Sequence, residues 1–116
     1  MIILDLPWPK TINHLYGQAR NGRRFIRPAG VKFRQDVCEI VSAMGVKTLE
    51  GRVSVFIAAF PPDKRKRDLD NLLKGACDSL THAGVYVDDS QIDDLRIIRR
   101  PVEKGGRLSV VIAEIK

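Results

Sequence analysis

The segment from Arg52 to Phe60 constrains the fold of this 116-residue chain more than any other. Every residue after Arg52 is apolar except Ser54, and the β-branched and aromatic types among them favour a strand. A strand that is apolar on both faces usually lies in the interior of its sheet. Pro61-Pro62-Asp63 then ends it, because proline cannot donate a hydrogen bond to a neighbouring strand. The sequence therefore predicts a central strand followed directly by a loop.

Two helices are predicted, one before this strand and one after it. The first runs from Pro28 to Gly45, where the glycine supplies the C-cap, and the second runs from about Asn71 to His82. In each helix the apolar residues recur at helical spacing and form one stripe. The stripes are Phe33, Val37, Ile40, Val41 and Met44 in the first helix and Leu72, Leu73, Ala76, Cys77 and Leu80 in the second.

Shorter strands are predicted near the two ends of the chain. Ile2 to Leu6 has a strand pattern, and Val85 to Val87 is a short strand-like run. Leu95 to Pro101 and Leu108 to Ile115 are predicted to form a terminal hairpin around the turn Lys104-Gly105-Gly106. This order of elements predicts a single α+β domain, residues 1–116, in which two main helices flank a mixed β-sheet.

Charge and cysteine content narrow the class of partner and the compartment. The formal net charge is +6, which in a small domain most often serves nucleic acid, with an acidic membrane or simple solubility as the other interpretations. No apolar run approaches the roughly 20 residues that span a bilayer, so no membrane span is expected. Pro7 and Pro9 interrupt the N-terminal apolar stretch, so no signal peptide is expected either. Cys38 and Cys77 lack zinc spacing and predict buried thiols in a reducing cytoplasm.

The stretch from Lys64 to Lys74 has the charge pattern of a functional site. Four consecutive cations, Lys64, Arg65, Lys66 and Arg67, run directly into Asp68 and Asp70. A basic tract attracts phosphate, whereas paired carboxylates repel phosphate unless a metal ion lies between them. The combination predicts a site that holds a polyanion against a divalent cation, which is the chemistry of a nuclease.

The local geometry of this stretch has two interpretations. If Lys64 to Asp68 is extended, Asp68 and Asp70 point to the same side of the chain, Asp70 is the helix N-cap, and Lys74 lies one turn further on. The alternative is purely structural: Asp70 caps the helix and pairs with Lys74, and the cations form a solvated loop. A cap requires neither Asp68 nor a row of cations, which favours the first interpretation.

Residues 10–29 have little periodicity and are predicted to form a long loop, with a short hairpin centred on Asn21-Gly22. A loop of this length in a small domain is usually functional. Arg23, Arg24 and Arg27 either grip a nucleic acid backbone or belong to a flexible solvated loop, and the sequence leaves both interpretations open.

Taken together, these features resemble the RusA family of Holliday-junction resolvases, small endonucleases of bacteria and their phages. The resemblance covers nearly the whole chain and is weakest from Lys10 to Arg27. Its most specific part is the Arg-Asp-Leu-Asp-Asn segment with a paired aspartate about twenty residues later. The matching segments are Leu6-Pro7-Trp8-Pro9, Arg67-Asp68-Leu69-Asp70-Asn71-Leu72, Lys74, Gly84, Asp88-Asp89, Pro101-Val102 and Lys104-Gly105-Gly106-Arg107-Leu108.

The resemblance implies a role for individual residues. Asp68 and Asp70 bind divalent metal, Asp89 supplies a third acidic ligand with Asp88 as the second choice, and Lys74 is needed for cleavage. The expected metal is Mg²⁺, with Mn²⁺ as a substitute. The resemblance also implies a homodimer that cuts two opposed strands of a four-way DNA junction. A dinucleotide preference is not carried over, because the loop matches poorly.

These implied roles agree with the chemistry of the residue types. Mg²⁺ prefers oxygen ligands, activates water and stabilises charge on phosphate, and Lys74 would add a positive charge close by. Neither His14 nor His82 fits a catalytic role. Asp93 and Asp94 are predicted to be solvated turn residues, with an outer-shell partner of the metal site as the alternative for either. Two rival classes remain: a basic nucleic-acid-binding module that does not cut, and a metal-dependent nuclease that acts on flaps or other branched DNA.

The expected dimer has support in the distribution of apolar residues. Val53 to Phe60 and Leu108 to Ile115 both have two largely apolar faces, which is more apolar surface than a small two-layer domain needs. A two-fold axis shared with the junction would place one site near each target strand. We therefore expect the dimer interface to draw on the strands and on the first helix.

Overall fold

A four-stranded mixed sheet with two helices forms the body of the computed structural model, which describes residues 1–9, 16–18, 20–22, 24–26 and 28–116. The helices are α1 (Pro28–Met44) and α2 (Leu69–His82). The strands are β1 (Ile2–Pro7), β2 (Tyr16–Gln18), β3 (Arg24–Ile26), β4 (Val53–Phe60), β5 (Ile92–Arg99) and β6 (Arg107–Glu114). The main sheet has the order β1-β6-β4-β5, in which β4 and β5 are parallel and the other pairs are antiparallel. The α+β prediction and the interior position of β4 are confirmed.

One face of this sheet and both helices share the hydrophobic core. Alternate residues of β4, namely Val53, Val55, Ile57 and Ala59, are buried, as the two-residue period of a strand requires. From the helices, Phe33, Val37 and Val41 of α1 and Leu72, Ala76 and Leu80 of α2 join the same cluster. Each fully buried aliphatic side chain contributes about 1.5–3 kcal/mol relative to an exposed one. This packing fixes α2, and with it the chain that precedes α2, against the sheet.

The opposite face of the sheet stays partly exposed. Ile3 of β1 is 58% exposed, Phe56 of β4 is 36% exposed, and Ile98 of β5 is 40% exposed. Val111 of β6 is half-buried and lies in register with both Ile3 and Phe56. Both faces of β4 therefore carry apolar residues, as predicted, but only one of these faces is covered by other parts of the chain.

The expected hairpin between the last two strands is wrong. The turn at Lys104–Gly106 is present, and Gly105 and Gly106 adopt φ values of +84° and +70° that favour glycine. However, β4 lies between β5 and β6, because α2 returns the chain parallel to β4 and the segment after β5 crosses the end of β4. Backbone hydrogen bonds hold this crossing segment: Arg100 N donates to Ala59 O at 2.8 Å, and Glu103 N donates to Pro61 O at 2.9 Å.

Several boundaries also differ from the sequence prediction. α2 begins at Leu69, two residues before the expected start, and β5 begins at Ile92, so Asp93 and Asp94 lie in a strand instead of a turn. Met44 is 53% exposed, because α1 ends there and its last turn extends past the core. Of the strand-like run at 85–87, only an isolated bridge between Tyr86 and Leu49 forms.

The predicted hairpin around Asn21-Gly22 is confirmed. β2 and β3 pair antiparallel, with Tyr16 opposite Ile26, and Gly22 has a φ of +84°. His14, Arg23 and Arg27 lie outside the described residues, and so does the side chain of Arg24. Within the described ranges, no helix is both long and apolar enough to cross a bilayer.

Candidate active site

The two aspartates of the Arg-Asp-Leu-Asp segment lie at the N-terminus of α2. Asp68 occupies the N-cap position with extended backbone (φ −87°, ψ 129°), but its side chain makes no capping hydrogen bond. Asp70 lies in the first turn, where the partial positive charge of the helix end favours a carboxylate. The expectation that Asp70 is the N-cap is therefore wrong, because the helix starts two residues earlier. Both side chains are exposed.

An open cleft of about 460 Å³ brings these aspartates together with cations. Its lining residues are Lys66, Arg67, Asp68, Leu69, Asp70 and Arg99. We call this cleft the carboxylate cleft. Its two carboxylates and three cations form the kind of mixed surface that binds a phosphate together with a divalent metal ion.

Arg67 organises the loop that leads into the cleft. Its Nη2 lies 2.8 Å from Oδ1 of Asp63, and its Nη1 donates to the backbone oxygens of Asp63 at 3.2 Å and Arg65 at 3.3 Å. The guanidinium also lies 5.5 Å from the centre of the Trp8 ring, a cation–π distance. Only 20% of the Arg67 side chain is exposed. Arg67 was predicted as a DNA contact, and the structure gives it a loop-holding role in addition.

The carboxylate of Asp63 accepts the hydrogen bonds that hold this loop. The backbone N–H of Arg65 donates to its Oδ1 at 2.9 Å. This hydrogen bond, followed by that from the Arg67 side chain, lowers the pKa of the Asp63 carboxyl below its ordinary value, against the opposing effect of desolvation. Asp63 was not singled out from the sequence as a functional residue, because it looked only like part of a stop signal. By contrast, Lys64, Arg65 and Lys66 are exposed, as a phosphate-binding tract requires.

Arg99 enters the carboxylate cleft from β5. Its Nη2 donates to the backbone oxygen of Arg67 at 2.6 Å. Because β4 and β5 are parallel, their C-terminal ends lie at the same edge of the sheet, so Arg99 meets the loop that follows β4. The sequence shows cations along this strand, but it does not show that Arg99 lies close to Asp68, since the strand order is not predictable from the pattern.

The later aspartate pair has two different environments. Asp88 caps a short 3₁₀ helix (Asp89–Gln91), and its Oδ2 accepts a hydrogen bond from Ser90 N at 3.0 Å. Hydrogen bonds from Ser90, above all, lower the pKa of Asp88. The side chain of Gln91, which is buried, completes the cap by accepting from Asp88 N at 2.9 Å. Asp89 is exposed, so it is the member of the pair that is not used for capping.

Asp89 belongs to the 3₁₀ helix, which packs against α2. It interacts electrostatically with the Cys77 thiol and the Tyr86 hydroxyl, and burial raises the pKa of that thiol to about 11. Cys77 is seven residues after Asp70, which corresponds to ~10 Å along a helix axis. In the part of the chain that the structure describes, no three acidic, histidine or cysteine side chains come close enough to hold one metal ion.

The remaining predicted residues follow α2. Lys74 is exposed and lies one turn after Asp70, as expected from the sequence. His82 is in the last turn of α2 and is exposed, a position in which a cationic side chain interacts favourably with the helix dipole.

A second cavity adjoins the carboxylate cleft. Its volume is about 300 Å³, and it shares Arg67, Asp68, Leu69 and Arg99 with the cleft. Trp8 of the N-terminal segment and Val102 of the segment after β5 also line it. We call this cavity the tryptophan pocket.

The chain is similar to a family of known DNA endonucleases. A family model described as endodeoxyribonuclease RusA matches residues 7–113. A crossover junction endodeoxyribonuclease RusA from Escherichia coli strain K12 is 42% identical over 113 residues, covering 97% of this chain and 93% of the relative. Proteins with the same description from Enterobacteria phages HK97 and 82 are each 41% identical, covering 96% and 97% of this chain and 92% and 93% of their own lengths.

Proposed function

Because this chain belongs to the RusA family of endodeoxyribonucleases, we propose that it is a crossover junction endodeoxyribonuclease, which cuts four-way (Holliday) DNA junctions at the carboxylate cleft. One observation carries the location of the site: Asp68 and Asp70 line the same cleft as Lys66, Arg67 and Arg99. Cations of this kind attract the phosphates of the DNA backbone. The two carboxylates repel the same phosphates unless a divalent ion lies between them.

The donor chemistry of Asp68 and Asp70 fits Mg²⁺, with Mn²⁺ as a substitute. Both carboxylates are exposed hard oxygen donors, and the Asp68 side chain is not used as a helix cap. Mg²⁺ in phosphate-processing sites is commonly held by one or two protein carboxylates together with substrate oxygens and water. We propose Asp89 as a third acidic contributor in preference to Asp88, since Asp88 is engaged in capping. Because Asp68, Asp70 and Asp89 do not cluster among the described residues, Asp89 would act on the metal through bound water. When bound, the metal supplies charge neutralisation at the phosphate and an activated water.

The chain's own groups would bind and orient the DNA strand. Lys64, Arg65 and Lys66 are exposed on the loop before the cleft and would bind backbone phosphates. Arg23, Arg24 and Arg27 stay proposed DNA-backbone contacts on the strength of the sequence alone, because their side chains lie outside what the structure describes. Lys74, one turn beyond Asp70, would place a positive charge beside the phosphate as negative charge develops during cleavage. Arg99 would hold the loop backbone at Arg67 and thereby position Asp68.

A homodimer would allow two symmetric cuts on opposed strands. One chain has a single carboxylate cleft among its described residues, whereas a four-way junction needs two cuts to be resolved. The partly exposed apolar sheet face at Ile3, Phe56 and Ile98 supports an interface that draws on the strands, with α1 contributing as well. The free thiols Cys38 and Cys77 fit a reducing compartment, which for a DNA-processing enzyme is the cytoplasm.

Mapping the nicks on defined DNA substrates tests this proposal. Each strand of a synthetic four-way junction carries a label in turn, and the protein is incubated with Mg²⁺, with Mn²⁺, or with a chelator. Paired symmetric nicks near the branch point are expected with either metal and none with the chelator. A matched linear duplex and a flap of the same sequence serve as controls. Faster cutting of the flap would identify a different nuclease, and metal-independent binding without any cutting would identify a binding module.

A further inference from the structure

The tryptophan pocket differs in character from the carboxylate cleft beside it. Its wall is largely apolar and comes from four parts of the chain. The apolar and aromatic lining residues are Trp8, Ala59, Pro61, Leu69, Leu72, Pro101 and Val102. The cations around them are Lys64, Arg65, Arg67, Arg99 and Arg100. The carboxylates of Asp63 and Asp68 also line the pocket, so five cations face two carboxylates. An apolar hollow with this excess of cations suits a ligand with a flat apolar body and an attached anion.

Trp8 is held in place by contacts on more than one side. A Cβ atom added at Gly106 would lie 2.8 Å from Cβ of Trp8 and 3.0 Å from both Cγ of Trp8 and Cδ of Pro62. Only glycine allows the turn before β6 to come this close, and its φ of +70° also favours glycine. The Arg67 guanidinium packs on the ring at 5.5 Å, and Arg67 is itself fixed by Asp63. The aromatic wall of the pocket is therefore largely formed before any ligand binds.

We propose that the tryptophan pocket binds one nucleobase that is unstacked from the DNA strand being cut. The pocket shares Arg67, Asp68, Leu69 and Arg99 with the carboxylate cleft, so a phosphate in the cleft and an adjoining base in the pocket can belong to one nucleotide unit. Aromatic and guanidinium groups stack on any base, and the cations neutralise the attached backbone. This inference rests on the proposed function for the choice of DNA strand.

The pocket gives a physical reason for selecting branched DNA. In a continuous duplex the base is paired and stacked, and turning it outward costs a few kcal/mol. We expect a lower cost at the branch of an open junction, where a base pair lacks a stacking neighbour on one side. An enzyme that places one base in the pocket before cutting thus favours DNA near a branch over uniform duplex, even though phosphate contacts alone do not distinguish them.

The chain provides its own probe for this inference. Trp8 is the single tryptophan of the sequence, so fluorescence excited selectively at tryptophan, and not at the two tyrosines, reports on the wall of the pocket. The protein is titrated, in chelator so that no cutting occurs, with four-way junctions in which an abasic nucleotide is moved through the positions around the branch. The intact junction should quench Trp8 fluorescence. An abasic nucleotide at one position of the junction should remove most of that quenching. In a separate titration with a short single strand, where phosphate contacts are few, one abasic nucleotide should weaken binding by about fivefold or more.

Two variants separate pocket occupancy from general DNA binding. Val102 is 46% exposed where the pocket opens, so Val102→Phe should narrow the pocket and reduce the quenching. The matched control is Val87→Phe, because Val87 is 63% exposed, lies near the start of β5 and is not a lining residue. Val102→Phe should retain junction affinity within about threefold, since phosphate contacts dominate affinity.

The outcomes distinguish this inference from the proposed function. Base-dependent quenching that Val102→Phe reduces and Val87→Phe does not supports the pocket, even if no junction is nicked. Quenching that is the same for every abasic position, in a protein that nicks junctions normally, overturns the pocket and leaves the proposed function intact. Equal quenching by intact junctions in Val102→Phe and the wild type also overturns it.

Discussion

Arg99 Nη2 donates a 2.6 Å hydrogen bond to the backbone oxygen of Arg67, which joins the C-terminal end of β5 to the loop that carries the candidate carboxylates. The contact spans 32 residues of sequence and fixes the backbone immediately before Asp68. It exists because β4 and β5 run parallel and end at the same edge. The contact makes Arg99 a positioning residue for the cleft, beyond its positive charge.

Arg99→Ala should lower the junction cleavage rate by about tenfold or more, because a displaced Asp68 cannot hold the metal ion against the phosphate. Arg99→Lys should recover part of the junction affinity but little of the cleavage rate, since a lysine lacks the planar guanidinium fork. The measurement is single-turnover cleavage together with junction affinity for each variant. Arg96→Ala is the control, because Arg96 lies on the same strand and pairs with Asp94 outside the cleft. Nicking of single strands is compared, since Arg96 lies beside Phe56 on the face proposed as the dimer interface. Equal losses in Arg96→Ala and Arg99→Ala would contradict the positioning role.

Asp70→Asn should abolish cleavage and leave junction binding unchanged or stronger, because removing a negative charge weakens the metal site and eases repulsion of phosphate. Asp68→Asn and Asp89→Asn should behave alike, and Asp88→Asn should be milder because asparagine can still cap the 3₁₀ helix. Cleavage and binding are measured side by side at saturating Mg²⁺. The control Asp36→Asn changes the same charge on α1, where Asp36 pairs with Lys32. Full activity of Asp89→Asn and none of Asp88→Asn would reverse the choice between the two.

Replacing Lys64, Arg65 and Lys66 together with alanine should weaken binding to every DNA tested, including linear duplex. These side chains are exposed, and each lost phosphate contact should reduce the slope of log affinity against log salt by about one unit. Arg67 is left out of the variant because it holds the loop through Asp63 and Trp8. The slope is measured between low and physiological salt on duplex and junction. A slope identical to that of the wild type would mean that the tract is only a solvated loop.

Asp63 should make the loop sensitive to acid. Its pKa is lowered in the folded protein by the hydrogen bonds from Arg65 and Arg67, so its contribution to stability is full above the unfolded pKa of about 3.9 and is lost as the pH falls through the lower folded value. Asp63→Asn should remove this part of the acid dependence while retaining the loop's side-chain volume. Urea unfolding midpoints at pH 6 and below pH 3.5 give the comparison. An unchanged difference between the two pH values in Asp63→Asn would refute the assignment.

The sequence pattern was sufficient for the elements that bury a stripe of side chains, and insufficient for those positioned by long-range pairing. α1, α2 and β4 were predicted because burial imposes a period on the residues, and in β4 the alternate residues around Val55 are all buried. The strand order could not be predicted in this way. By local pattern alone, Leu95–Pro101 and Leu108–Ile115 could pair with each other or with β4 equally well. Arg99 and Trp8 meet at the site only through that order, so their proximity to Asp68 could not be derived.

The first residue of α2 is a second feature that the sequence pattern does not determine. Asp68 and Asp70 are both good N-cap residues, and propensity does not choose between them. Packing of Leu72 into the core is compatible with either start, and the chain begins the helix at Leu69. Asp68 and Asp70 do lie close together, since both line the carboxylate cleft. They do so because they stand at the start of a helix, whereas the sequence predicted an extended segment.

The last prediction concerns the proposed homodimer. Phe56 is 36% exposed on the outer face of β4, and Val111 lies in register beside it. Phe56→Arg should shift the protein to monomer, because it places a charge in an apolar interface, with little loss of monomer stability since the side chain is not in the core. Sedimentation at low micromolar concentration measures the assembly, and Val87→Arg is the control, since Val87 is 63% exposed elsewhere.

Junction cutting should follow the same assembly. The Phe56→Arg monomer should nick single strands but lose paired symmetric cuts, because each chain carries one carboxylate cleft among its described residues. Mixing wild-type chains with Asp70→Asn chains should likewise give heterodimers that nick one strand and rarely complete the second cut. A wild-type protein that sediments as a monomer and still makes paired symmetric nicks would rule out the dimer as the source of the paired cuts.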